Sequence, residues 1–404
     1  MRLNKHKRIV LAARRWATSL IITVSSLVLT ATGCAQKIDL PEVDNSVIKE
    51  ARTYLETSGM APDQYVIKKF QNHDVIFLGE SHYNRHDPVF IQELIPVLYE
   101  NGIRTLATEF ARREDQNLVD SLLAGDEYNG GLAREIQFRQ NVLFGFREYI
   151  DIFEVAWTLN QSLGPDDIPF RIIAMNNSPD WSFVKTKADR DSDEVKRKVW
   201  HGETEEDWAK VVLDAVNNGE KVLVYCGMHH AFSKYKQPAV NFQTGEFYRF
   251  DDSRVGNFVF RAIGNRALTI SLHHAWHSSD GEPSSVYAAD GYIDAVMHEL
   301  GDKHYPAGFD IAGSPFADFP GETSAYKYGY EKFKLAMFCD GYIYRKPLSE
   351  YEGVSPIERF VNEKNIDRAR LATSHPKYRD ASPEEFFVSL MKIANVQWKY
   401  RKFK

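Results

Sequence analysis

Four side chains in this sequence have the types and order that chemistry needs: Glu80, His82, Glu109 and His230. Glu80 and His82 stand in "VIFLGESHYNRHDP", residues 75–88, where an apolar run stops at Gly79. Glu109 follows "RTLAT", and His230 follows "KVLVYCGMH". Two carboxylates and two imidazoles on one rim suit two tasks. They can hold a divalent metal whose bound water becomes nucleophilic near neutral pH. They can also deprotonate water directly, through a histidine oriented by a carboxylate. Glu80 and His82 lie two apart in a loop, unlike the helical His-Glu-x-x-His arrangement, so no known zinc motif is matched. No Gly-rich phosphate loop, serine elbow or Cys-His nucleophile pattern stands out.

These residues need a frame, and the apolar runs supply one. "DVIFL" (74–78), "RTLAT" (104–108), "FRIIAM" (170–175), "KVLVYC" (221–226) and "ALTISL" (267–272) read as buried strands. Helix-like stretches lie between them. Asp87-Pro88 is expected to cap and open one, with Pro96 inside it, and Thr204 caps "EEDWAKVVLDAVNNG". Strands that are apolar throughout and alternate with helices predict an α/β fold with a mostly parallel central sheet covered on both faces. Right-handed crossovers then put every strand's carboxyl end on one edge, where ligands bind in such sheets.

The residues after each strand are therefore the candidates. Beyond the four above they include His229, the pair His273 and His274, and the pair Asn176 and Asn177; His229, His274 and Asn177 form a secondary set. An asparagine amide there could donate to a developing oxyanion. Each has a plainer alternative. Glu80 could cap a helix, Glu109 could anchor Arg112 or Arg113, Tyr83 could simply pack, and His229 could point into the core. His86 precedes the expected Asp87 cap and is read as an exposed loop residue.

The segment "VIFLGESHYNRHDPVFIQELIPVLYENGIRTLATEF" resembles the opening of the superfamily that groups ChaN-like haem-binding lipoproteins, erythromycin esterase-like hydrolases and the Tiki/TraB proteins. The shared features are a strand ending in Gly-Glu-x-His, a second ending in Glu, and a later one followed by Gly-x-x-His. Here these are Glu80 and His82, then Glu109, then Gly227 and His230, within residues 70–275. The resemblance implies an α/β domain with its site on the strand rim. In the esterase-like branch the motif residues activate water, in the Tiki branch they serve a metal-dependent peptidase, and in the ChaN-like branch the ligand is haem.

Residues 1–33 carry six basic residues and no acid, followed by a short apolar stretch, which predicts a secretory signal. "LTATGC" resembles a bacterial lipobox, making Cys34 the expected lipidated residue, and Ala35 favours the outer membrane. Losing six positive charges takes the formal net charge from −6 to about −12, which argues against nucleic-acid binding. Cys226 and Cys339 are the remaining cysteines, paired or free.

The expected organisation is a signal over 1–33, a tether over 34–45, a ChaN-like α/β domain over 46–280 and an aromatic-rich extension over 281–404 without clear strands. Its tyrosines and phenylalanines could wall a pocket for a flat ligand such as a porphyrin, or simply form core. No Cys-x-x-Cys-His occurs, so haem would bind non-covalently. Three functions are open: an envelope-anchored, periplasm-facing hydrolase of an ester, amide or peptide, with or without a divalent metal; a haem-binding lipoprotein; and a non-catalytic envelope protein. Membrane contact is expected through the lipid anchor only.

Overall fold

The computed structural model describes residues 37–241, 246–280 and 284–404. The signal and lipobox expectations, Cys34 included, lie outside the described residues. Five strands match the apolar runs: β1 (Val75–Glu80), β2 (Thr105–Arg112), β3 (Arg171–Asn176), β4 (Val222–Gly227) and β5 (Ala267–Leu272). Two more come from the carboxyl-terminal third, β6 (Ala307–Asp310) and β7 (Gly341–Tyr344), so the sheet has seven strands in the order β6-β7-β5-β1-β4-β2-β3. All neighbours pair in parallel except β6 with β7.

Alternate residues of a strand face opposite sides of the sheet. In β1, Ile76 and Leu78 enter one apolar layer and Val75 and Phe77 the other. The first layer is closed by helices α1 (His86–Glu100) and α2 (Arg147–Gln161), and the second includes Trp208 and Val212 of α3 (Glu205–Asn217). Burial on both faces explains why these strands read as unbroken apolar runs. Among the described residues no helix is long and apolar enough to cross a membrane.

Two helix starts differ in their fit to the sequence. Thr204 caps α3 as expected, with Asp207 closing the capping box on the Thr204 amide at 2.9 Å. Helix α1 begins at His86 rather than after Asp87, and its cap residue is Arg85. Asp87 lies in the first turn, 1% exposed, with Asn84 and His86 beside it. His86 is likewise covered, its side chain only 12% exposed. The cover is Tyr351, whose ring centroid lies 4.2 Å from that of His86, together with Arg345, which donates to the His86 carbonyl. The carboxyl-terminal segment thus buries a residue that its own neighbourhood marks as exposed.

The strands after residue 281 also run against the sequence expectation. "AGFD" and "GYIY" are four residues each, and the one-turn helix between them, Leu335–Phe338, is too short to mark a β-α-β unit. Cys226 and Cys339 are both buried and free.

Candidate active site

The candidate residues gather where β1, β2 and β4 end. Glu80 is the last residue of β1, and three groups fix its carboxylate. Tyr149 of α2 donates to Oε1 at 2.7 Å, Tyr225 of β4 donates to Oε2, and His82 Nδ1 lies 2.7 Å from Oε1. A carboxylate with so many partners can remain in a site where it is 1% exposed.

Glu109 lies inside β2, where the register with β3 shifts between Thr108 and Arg112. Such an irregularity re-aims a side chain beside a site. Its Oε2 accepts the Gly227 amide at 2.8 Å, and its Oε1 lies 3.3 Å from His82 Nε2. Arg112 and Arg113 pair elsewhere, with Glu114 and Asp115 and with Glu203, so neither occupies Glu109.

His230 stands in the short helix α4 (Met228–Ala231), its Nε2 3.8 Å from Glu109 Oε2 and its Nδ1 2.9 Å from Glu205 Oε2. Glu205 opens α3 and also accepts from Arg254 Nη1 and the Val255 amide, each at 2.9 Å. The result is one alternating chain of acids and bases: Glu80, His82, Glu109, His230, Glu205, Arg254.

Burial alone would hold the His82 imidazole neutral. The Glu109 charge, with the hydrogen bond and charge of Glu80, outweighs it and lifts His82 to about 9. His230 is raised in the same way, burial being overcome first by Glu205 and then by Glu109. Glu205 is lowered, because His230 and Arg254 overcome its own burial.

His82 and His230 both face a cleft of about 420 Å³. Ser81, His229, His274, His277, Tyr326 and Lys399 line other parts of it. His229 therefore reaches the rim beside His230, its Nε2 2.9 Å from the Tyr326 hydroxyl. Burial holds His229 and His277 below the usual imidazole range and takes His274 down to about 3. His273 turns the other way, between Tyr342 and Asp294, so of that pair only His274 lines the cleft. Asn177 hydrogen-bonds the Thr204 carbonyl at 3.3 Å, and Asn176 the Glu109 carbonyl at 2.9 Å. Both act as strand-end anchors here. Tyr83 packs on Phe144, with ring centroids 4.9 Å apart, and also walls the cleft. Its φ of 75° is a left-handed conformation, which costs a tyrosine about 1–3 kcal/mol.

Among the described residues, no group of three or more His, Cys, Asp or Glu side chains is arranged to hold a metal ion. The four candidates come together, but as partners of one another: both ring nitrogens of His82 face carboxylates.

Glu80, His82 and Glu109 fall inside a stretch that matches a protein family, and Gly227 and His230 lie beyond it. Residues 66–199 match the family described as haem-binding uptake, Tiki superfamily, ChaN. Over those residues, about a third of the chain, it is similar to the ChaN/Tiki superfamily. No curated protein matches this chain. Among solved structures it is similar to ChaN of Campylobacter jejuni, described with cofacial haem binding, at 14% identity and a TM-score of 0.33, over 52% of this chain and 86% of that one. A Bacillus cereus protein is 12% identical with a TM-score of 0.46, over 78% of this chain and 99% of that one. A succinoglycan biosynthesis protein is 12% identical with a TM-score of 0.48, over 79% and 100%.

Sequence reasoning missed Glu205, Arg254, Tyr149, Tyr225, Ser81, His277 and Lys399. Glu205 was visible only as an acid in the first turn of a helix. Nothing near it in sequence points to His230.

Proposed function

We propose that this chain is an exported, envelope-anchored hydrolase, with a small ester, amide or peptide as substrate. The observation that carries the reading is His82, held between Glu80 and Glu109 with its side chain 33% exposed at the cleft. A proton taken from water at this imidazole would be stabilised by a carboxylate on either side. His82 is then the general base, Glu80 and Glu109 orient it and balance its charge, and His230 carries the array on to Glu205. A divalent metal is not needed for this scheme. The test is a screen of the purified chain against ester, amide and peptide substrates, beside His82→Gln and Glu109→Gln. Turnover lost in both variants supports the reading, and turnover unchanged in both overturns it.

Haem is the second reading, favoured by the family match and by His274. The Leu272 carbonyl can only accept, so at 2.6 Å it fixes the proton on His274 Nδ1 and leaves the lone pair on Nε2. A neutral imidazole of this tautomer suits an iron ligand, and aromatic neighbours such as Tyr326 suit a flat macrocycle. His274 would hold the group, which would supply an iron centre for redox or carrier chemistry. A haemin titration showing a Soret shift in the wild type and none in His274→Ala supports it.

A further inference from the structure

The array described above leaves an amine in the cleft unused. Lys399 sits on α5 (Gln397–Tyr400), 318 residues from Ser81 in sequence, and its Nζ donates to the Ser81 hydroxyl at 2.9 Å. Both residues line the cleft. Among the described residues Lys399 makes no ion pair with a carboxylate. The acid whose charge reaches it is Asp87, which is itself buried and pushed well above the usual carboxylate range by that burial. An amine without a carboxylate ion pair, desolvated by burial and with its Nζ on a hydroxyl, is the arrangement in which lysine replaces histidine as the base of a serine nucleophile.

We propose that Ser81 is a nucleophile and Lys399 its general base, so that the cleft carries a serine–lysine acyl-transfer site beside the carboxylate–imidazole array. The inference rests on the hydrolase reading for its second half. In the first half, Ser81 Oγ bonds to the carbonyl carbon of an ester or amide while its proton passes to neutral Lys399 Nζ. The bond to the leaving alcohol or amine then breaks, and the leaving group takes that proton. In the second half, water deprotonated at His82 attacks the acyl-serine carbonyl, the bond to Ser81 Oγ breaks, and Ser81 leaves as its hydroxyl with the proton that His82 took from the water. Burial lowers Lys399 to about 8, so a useful fraction of the amine is free near neutral pH.

An alkyl fluorophosphonate tests this without knowledge of the substrate, because the serine oxygen displaces fluoride from phosphorus and stays covalently marked. The full chain is expected to take one label, mapped by mass spectrometry to the peptide bearing Ser81, at a rate that rises with pH through about 8. Ser81→Ala should take none. Lys399→Arg keeps a long cationic side chain but no usable base, and should label slower by roughly 100-fold or more. Thermal unfolding of each variant shows that the fold is intact. Labelling of Ser81 in Lys399→Arg at the wild-type rate overturns the proposal, as does absence of label in a chain that hydrolyses esters; in that last case the hydrolase reading stands alone. If Ser81 labels but His82→Gln turns over substrate like the wild type, the reading of the array fails and the serine–lysine site stands.

Discussion

A methyl group on Gly227 would stand 2.8 Å from Cε1 of His82 and 3.1 Å from its Nε2. Gly227 also gives its amide to Glu109, so the strand end and the imidazole are in contact because this residue has no side chain. Gly227→Ala must shift the His82 ring from its place beside Glu109. Overpacking of this kind costs about 1–3 kcal/mol, and displacement of a reacting group by about 1 Å can cost roughly 100-fold in rate. The expected result is a folded protein, slightly less heat-stable, whose hydrolysis falls on that scale. Wild-type turnover in Gly227→Ala would place the reacting imidazole elsewhere.

The titration of His82 gives a pH signature. Its pKa in the folded chain, about 9, lies above the ordinary value of about 6.5. As a general base it works deprotonated, so hydrolysis should rise with pH up to about 9. Glu109→Gln removes a negative charge that raises the pKa, and the inflection should move to lower pH. The same shift stabilises the fold. That contribution is complete below about 6.5 and is lost as pH rises through about 9. NMR titration of the imidazole Cε1–H in both proteins measures the shift, and identical curves would refute the role given to Glu109.

Glu80 depends on its two tyrosines. Tyr149→Phe and Tyr225→Phe each remove a donor to a buried carboxylate, a loss of about 1–3 kcal/mol. Because both serve one carboxylate, the double variant should depart from the sum of the singles by at least about 0.5 kcal/mol. Urea unfolding of the three variants measures this, and strict additivity would mean that the two hydroxyls act independently.

Chelation separates the two kinds of water activation. His82 has a carboxylate at each ring nitrogen, so the array has little free donor capacity for a metal. Hydrolysis should be unchanged after exhaustive dialysis against EDTA. Activity lost on dialysis and restored by zinc would show that the array rearranges around an ion.

The parallel core was legible because β1 to β5 bury both faces, and that leaves a mark in every residue of each run. The four motif residues were legible because each sits at or near the carboxyl end of such a strand. Glu109 was recognisable by type, but the irregularity of β2 that aims it was not. The partners were hidden for a different reason. Glu205, Tyr225 and Lys399 reach the site from helices or strands whose local patterns are satisfied without it. β6 and β7 are four residues long, and the helix between them, Leu335–Phe338, is a single turn, so neither strand nor helix leaves a pattern long enough to read. His86 was misjudged because its cover arrives from Arg345 and Tyr351, more than 250 positions away.

The first and last described residues lie side by side. The Ile38 amide donates to the Lys402 carbonyl at 2.7 Å, and Lys37 Nζ donates to the Phe403 carbonyl at 2.7 Å. Lys399 stands three residues before this clasp, so the wall of the cleft is fastened by the segment through which the domain is joined to whatever precedes it. Tension on that segment would fall first on these two hydrogen bonds, three residues from the lysine. A circular permutant with the two ends joined and a new opening elsewhere would remove that dependence and keep the wall in place.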